Sequence, residues 1–374
     1  MGPSGRQGTP FPFEGPVPPE LLIDRQDELG VLARRAADRV SVRLVAPRRY
    51  GKTSVLLAHA ARLRETGWRT AHVDFSRAAD LTDVARRLAV AYAQLDEPWV
   101  RSHLAGLLAR LGLSIGPAGP SISLSLRPRT TDGDAAETVL HRLLDLPKEL
   151  WERDAMPTLV VFDEFQDLLV ARGDLDGLLR SHIQYHGDAA AYVYAGSEPS
   201  MMRELFDSHE RPLFGQADPL TLGPLPPEET IADLAARFAD EGLEPGEALG
   251  ELVAFGGGHP QRTLMLAYLL ADRLGTGEAA TPALAEEVLT SAIERTQPAH
   301  GALWSQLGRT ERALLAAVAD GVAPTSRALA AEQRVSRGAL DAAADRLADQ
   351  GHLLRRPRAT ALVDPLLAEW LRRR

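Results

Sequence analysis

Apolar positions along this chain follow two alternating rhythms. Short stretches are apolar throughout or at every second residue: "SVRLVA" (41–46), "RTAHVDF" (69–75), "PTLVVFD" (157–163), "AAAYVYAG" (189–196) and "DPLTLG" (218–223). Each reads as a strand. Between them the apolar residues recur at helical spacing, as in Val55, Leu56, His59 and Leu63 after the first run, and residues 26–38 read as a lead-in helix. Strands separated by helices predict a parallel sheet with helices on both faces from residue 41 to about 222. The helical stretch between the second and third runs is broken by "GPAGPSISLSLRPRTTDGD" (116–134), read as an insertion carrying a small hairpin.

The rhythm changes at "GPLPPEE" (223–229), a proline-rich hinge. Residues 227–296 are helical throughout, with "GGGHPQ" (256–261) opening a helix from Arg262 to Leu274. Beyond "TQPAHG" (296–301), "GRTERALLAAVADG" predicts one helix with Thr310 as its N-cap. "TSRALAAEQR" and "SRGALDAAADRLADQG" predict two more, and "HLLRRPRATALVD" two short strands around a basic turn. Three helices followed by a hairpin make the winged helix-turn-helix pattern. The expected organisation is a tail (1–20), an α/β core (21–223), an all-helical region (224–298) and a winged helix (299–374).

Composition narrows the classes. With no cysteine in 374 residues, a disulfide frame and a thiolate metal site are excluded. No run approaches the roughly 20 apolar residues of a membrane span. The first 20 residues hold Pro and Gly where a signal peptide needs an apolar core, so a loose tail, a cytoplasmic location and no membrane partner are expected. The net charge of -9 argues against coating of nucleic acid by the whole molecule. The charge is uneven, however: residues 301–374 carry 12 arginines and 8 acids, hence +4, which leaves -13 for the remainder. A basic C-terminal piece on an acidic body is a cue for a binding module.

Lysine is nearly absent, and one of the two, Lys52, lies where the first strand turns into a helix. "APRRYGKTS" fits a Walker A loop from Ala46 to Thr53, between a strand and a helix as such a loop requires. The loop Ala46, Pro47, Arg48, Arg49, Tyr50, Gly51, with Ser54 beyond it, would wrap phosphates in its backbone N–H groups, Pro47 alone having none to give. Lys52 would reach the β- and γ-phosphates, and the Thr53 hydroxyl would hold Mg²⁺. A compact, movable ammonium suits that position better than the planar fork of arginine. "LVVFDEF" (159–165) puts Asp163 and Glu164 at the end of an apolar strand, a Walker B pattern. Asp163 would hold Mg²⁺, and Glu164 would position or deprotonate water. In "YVYAGSEPS" (192–200), Ser197 either touches the γ-phosphate or the water, or caps the helix beginning at Pro199.

These residues, in this order, resemble the archaeal-type ATPase family within the STAND/AAA+ P-loop ATPases, over about residues 20–374. "LLIDRQDEL" is similar to the family's Phe-x-Gly-Arg-x-x-Glu-Leu motif, and "APRRYGKTSVL" to its phosphate loop. "VVFDEFQDL" is similar to its Walker B, "GSEPSMMRELFDSHERPLFGQ" to its sensor segment, and "GGGHPQRTLMLAYLL" to the Gly-x-Pro motif of its helical lid. The resemblance implies a P-loop core, a lid and a winged helix. It implies that Ile23, Asp24 and Arg25 line the adenine side and that His259 and Pro260 close on the nucleotide. Arg262 is then a candidate sensor-2 arginine, the alternative being a solvated helix residue. Three positions depart from the pattern: Ala46 for the first loop glycine, Asp24 for Gly, and Gln216 for an Arg. If that Arg acts on a neighbour's ATP, its loss slows unassisted hydrolysis, with Arg203 and Arg211 the nearby substitutes.

In the C-terminal piece, a recognition helix over 336–350 would turn Val335 to Leu340 towards a DNA groove. Arg337 is the only basic residue there, with Asp341 and Asp345 behind it, while Arg355, Arg356 and Arg358 form a basic wing. The alternative is a packing module that clamps nucleotide or meets a partner. Three readings follow. The first is an ATP-binding switch with slow hydrolysis. The second is a DNA-bound ATPase laid out like the archaeal origin-recognition initiators. The third is a winged-helix regulator with ATP/ADP as a structural ligand. A protein partner or homo-oligomer is compatible with each.

Overall fold

Five parallel strands form a sheet in the order β2-β3-β4-β1-β5. They are β1 (Val42–Val45), β2 (Arg69–Asp74), β3 (Thr158–Asp163), β4 (Ala190–Gly196) and β5 (Asp218–Thr221), each within a residue or two of its expected span. The chain is described here by a computed structural model over residues 8–95, 97–111, 133–275, 280–356 and 359–374. It divides into two compact units. The hairpin expected at 116–134 lies outside the described residues.

The first unit comprises Gln26–Ala46 and Val55–Thr221. Every residue of β3 and β4 is buried. That pattern requires cover on both faces, as in the parallel sheets of α/β proteins. Val160, Phe162, Tyr192 and Tyr194 share one core with Leu88, Val139 and Leu143. These last come from α3 (Leu81–Ala93) and α5 (Gly133–Asp154). The other helices of this unit are α1 (Gln26–Ala37), most of α2 (Lys52–Glu65), α4 (Pro98–Ala109), α6 (Leu168–Ala171), α7 (Leu175–Ile183) and α8 (Pro199–Asp207).

The second unit joins the N-terminal residues through Arg25, the loop Pro47–Ser54, and Leu222–Arg374. Its helices are α9 (Pro227–Asp240), α10 (Gly246–Gly256), α11 (Pro260–Gly275), α12 (Pro282–Gln306), α13 (Arg309–Ala319), α14 (Arg327–Gln333), α15 (Arg337–Asp349) and α16 (Pro365–Arg372). An antiparallel pair, β6 (Leu353–Arg356) and β7 (Ala359–Leu362), precedes α16. No described helix is long and apolar enough to cross a membrane.

Four expectations change here. The tail is packed where it is described: Phe11 and Phe13 are buried in the helical core, with Phe11 against Phe238 and Phe13 against Tyr268. Arg237 ties this segment down by donating to the carbonyls of Pro10 and Leu21. The boundary expected after residue 298 falls inside α12. Its buried stripe Leu284, Val288, Ala292, Thr296 and His300, at i+4 spacing, carries the helix past Pro298. The N-cap of α13 is Gly308, whose N–H donates to the Glu311 carboxylate, and not Thr310. Finally, α16 was not expected from the sequence. Asp364-Pro365 is its start signal, and Leu366 joins the helical core.

Candidate functional site

In the first unit, the pairings Val45 with Gly196 and Phe162 with Tyr194 bring the carboxyl ends of β1, β4 and β3 to one edge of the sheet. That edge is where open parallel sheets bind ligands. Asp163 closes β3 and is buried; its Oδ1 accepts the Glu164 N–H, and its Oδ2 is 3.5 Å from His72 Nε2. Glu164 follows in the left-handed region at φ +47°. A non-glycine residue there costs about 1–3 kcal/mol, a strain found at functional turns. Its Oε2 accepts hydrogen bonds from Ser197 Oγ at 2.7 Å and from Gln166 Nε2 at 2.6 Å. Ser197 therefore holds the Glu164 carboxylate. It does not cap α8, whose N-cap is Glu198. Gln166 is a site residue the sequence reading missed. Its only sequence signal is its place two residues beyond Glu164, since the 3-10 turn that aims it back is not a periodic feature.

The loop after β1 opens α2 at Lys52. Ala46 donates its N–H to the Gly196 carbonyl, which fixes the loop's first residue at the sheet edge. Gly51 sits at φ +83°, and a Cβ there would meet nothing within 4 Å. Backbone conformation, not crowding, thus demands glycine. Arg49 is also left-handed, at φ +67°. Lys52 is buried, and Thr53 follows it in the first turn of α2. Ser54 Oγ accepts the Val17 N–H at 2.9 Å, so the N-terminal segment holds that hydroxyl.

The unit that holds this loop supplies the other expected residues. Ile23 is buried in the helical core. Asp24 and Arg25 are both left-handed, at φ +56° and +75°, and Arg25 donates to the Gly223 carbonyl at 2.7 Å. A left-handed position accounts for glycine in the motif that Asp24 departs from, and Asp is one of the few side chains tolerated there. Tyr50 packs its ring edge-on to His259, centroids 5.1 Å apart. His259 precedes Pro260, the first residue of α11, and its Nδ1 accepts the Arg262 N–H at 3.3 Å. Burial, aided by Arg262 and Arg49, pushes His259 down to about 4, so the ring is neutral near pH 7. Arg262 is 4% exposed and forks onto Asp364, which removes the solvated alternative.

The basic surface expected of the C-terminal helices is reduced. Leu340 is buried in the core that α13 and α15 share, and does not face outwards. Arg337 is exposed, its Nε donating to the Thr325 carbonyl. Arg355 is paired with both Asp341 and Asp345. Arg356 lies on β6 with its side chain outside the described residues, as is all of Arg358. Gln216 is exposed and donates to the Phe214 carbonyl. Of the expected substitutes, Arg203 is exposed and Arg211 lies 3.2 Å from the buried Asp176.

No family model matches the chain, and no curated protein does. Solved structures do. The Walker-type ATPase PABY2304 of Pyrococcus abyssi superposes with a TM-score of 0.68 at 19% identity, over 97% of this chain and 100% of that one. The Aeropyrum pernix ORC2 protein in its ADPNP-ADP complexes gives 0.60 at 18%, over 97% and 96%. The Aeropyrum pernix ORC1 protein in complex with DNA gives 0.51 at 17%, over 94% and 93%. At these identities the likeness is one of fold. The chain has the α/β fold of AAA+ ATPases.

Proposed function

We propose that this chain, with the fold of a Walker-type ATPase, binds ATP with Mg²⁺ and hydrolyses it slowly, as a nucleotide-dependent switch that reads out through its lid and winged helix. The observation that carries the reading is the end of β3, where Asp163 and a strained Glu164 emerge at the edge that β1 also reaches before entering its phosphate loop. In this reading the loop's N–H groups and the positive end of α2 receive the phosphates, and Lys52 neutralises their charge. Thr53 and Asp163 would supply hard oxygen donors of the kind Mg²⁺ takes, one hydroxyl and one carboxylate. The metal's contribution would be to offset charge on the phosphate oxygens. Glu164 orients the attacking water and takes its proton. Slowness is supported by Ser197 and Gln166, which both donate to the one Glu164 oxygen and weaken it as a base. It is supported also by Gln216 at the position where the resembling family has an arginine.

Glu164 favours hydrolysis over a purely structural ligand. The DNA-bound alternative is weakened by the pairing of Arg355 with two carboxylates. Two variants test the proposal together. Lys52→Ala, kept folded, should lose at least tenfold in affinity for a fluorescent ATP analogue. Glu164→Gln should bind that analogue as the wild type does and hydrolyse ATP about 10²–10⁴-fold more slowly in single turnover. Unchanged affinity in the first variant would sink the nucleotide assignment, and an unchanged rate in the second would remove Glu164 from the chemistry.

A further inference from the structure

Arg262, the lid arginine, already holds an anion. Its Nε donates to Asp364 Oδ1 at 3.0 Å and its NH2 group to Asp364 Oδ2. The same carboxylate receives His300 Nε2 at 3.4 Å and the N–H groups of Leu366 and Leu367, as the N-cap of α16. Asp364 thus joins three things: the lid helix α11, the long helix α12 and the last helix of the C-terminal module. Burial alone would raise its carboxyl. The hydrogen bonds from His300 and Arg262, and the charge of Arg262, hold it instead well below the usual carboxylate range.

The phosphate loop meets this cluster within the same unit through Tyr50, which packs on His259, the acceptor of the Arg262 N–H. Arg49 is depressed by burial and by Arg262, is supported by Asp364, and is opposed again by Arg48. The turn between α15 and β6 lies against the loop as well: a Cβ on Gly351 would be 3.7 Å from Arg48 Cγ, and His352 is lowered by burial and by Arg48. Arg49 therefore feels the positive charges of both Arg262 and Arg48 beside a loop shaped for phosphates. That repulsion favours an added anion, and the bidentate Arg262 is already engaged by a carboxylate.

We propose that Asp364 is the specificity-determining residue that sets how strongly the site prefers a nucleoside triphosphate over a diphosphate, by competing with the terminal phosphate for Arg262. The proposal rests on the nucleotide reading given above. With a diphosphate, nothing challenges the Arg262–Asp364 fork, and α16 stays pinned to the lid. A terminal phosphate near Arg49 offers Arg262 a second bidentate partner of higher charge and repels Asp364. The link from α11 to α16 loosens, and the C-terminal module reports the γ-phosphate. Asp364 is a positioning residue in this scheme, acting through Arg262.

Two measurements on the full chain test it. In the wild type, hydrogen exchange of the α16 amides, Leu366 to Arg372, should be at least threefold faster with a non-hydrolysable ATP analogue and Mg²⁺ than with ADP and Mg²⁺. Asp364→Asn keeps a capping side chain and removes the charge, so it should raise the ratio of triphosphate to diphosphate affinity about tenfold and make α16 exchange alike in both states. Arg262→Gln should lower that ratio. A merely structural role for Asp364 would move both affinities together and leave the ratio unchanged. If both nucleotides bind the wild type but exchange in α16 is the same, the competition is overturned and the nucleotide reading stands. If neither binds, both fall.

Discussion

Buried titratable side chains give the sharpest residue-scale consequence. His59, His186 and His259 are each pushed down to about 4, in each case chiefly by burial. Unfolded, they would titrate near 6.5. Between about 6.5 and 4 the unfolded chain therefore binds protons that the folded chain does not. Stability contributed by the neutral rings is complete above 6.5 and is lost as pH falls towards 4, by up to about 3 kcal/mol per ring. Thermal melts between pH 7 and pH 4.5 should show a steep fall in Tm. His59 allows a cleaner test, because neither ring nitrogen has a hydrogen-bond partner among the described residues. His59→Leu should match or exceed the wild-type Tm at pH 7 and show a visibly flatter fall on acidification; equal slopes would locate the acid sensitivity elsewhere. At this scale the sequence carried a chemical pattern at Lys52, Asp163 and Glu164, and the structure puts Lys52 at the start of α2 and the two acids at the end of β3. The sequence was silent on Gln166 and Asp364, whose roles arise from neighbours that no local spacing encodes.

Elements were readable where burial follows a period. β3 and β4 appeared as continuous apolar runs because strands covered on both faces bury every residue, whereas β1 and β2 bury every second residue and appeared as alternating ones. Helix ends were read less well. Pro298 looked like a terminus, yet the i+4 stripe of α12 passes through it, and tertiary packing outweighs one missing backbone hydrogen bond. The turn between α10 and α11 carries an element-scale prediction. Gly257 and Gly258 are both left-handed, at φ +57° and +76°. A Cβ on Gly257 would approach nothing closer than 3.9 Å, whereas one on Gly258 would lie 2.6 Å from the Leu225 carbonyl oxygen and from Pro224 Cβ. The Gly258 carbonyl also accepts the Leu225 N–H at 2.8 Å, so the turn is docked on the proline-rich segment and cannot step back freely. Gly257→Ala should cost about 1 kcal/mol, the left-handed penalty alone, and Gly258→Ala clearly more, about 2–4 kcal/mol with the clash added. Denaturant melts of the two variants compare them directly. Equal losses would mean that the hinge yields.

Over the whole molecule, charge decides which large partner is plausible. The +4 of residues 301–374 against -13 elsewhere was a cue for a separate binding module. In the structure that surplus is partly spent internally. Arg355 answers Asp341 and Asp345, Arg373 answers Glu369 and Glu286, Arg372 answers Glu369, and Arg346 answers Glu311. A guanidinium already held by carboxylates has to leave them before it can displace a counterion from a phosphate, so the number of arginines overstates the attraction. Sequence composition could register the surplus but not its pairing, because the partners are brought together only by the fold. A DNA-reading surface and a nucleotide-responsive clamp now give different salt titrations. If the basic turn neutralises phosphates, replacing Arg355, Arg356 and Arg358 together by Ala would flatten the slope of log K against log salt by about 0.9 for each phosphate no longer neutralised. We expect instead that the wild type shows weak duplex binding at low salt. Its slope should be shallow and should change in the triple variant by no more than about 0.9, the equivalent of one phosphate, while ATP affinity is unaltered. Fluorescence anisotropy at several salt concentrations measures both slopes. A slope that flattens by about 1.8 or more, the equivalent of two phosphates, would reinstate the basic turn as a DNA surface. It would also require Arg355 to exchange Asp341 and Asp345 for backbone phosphates on binding.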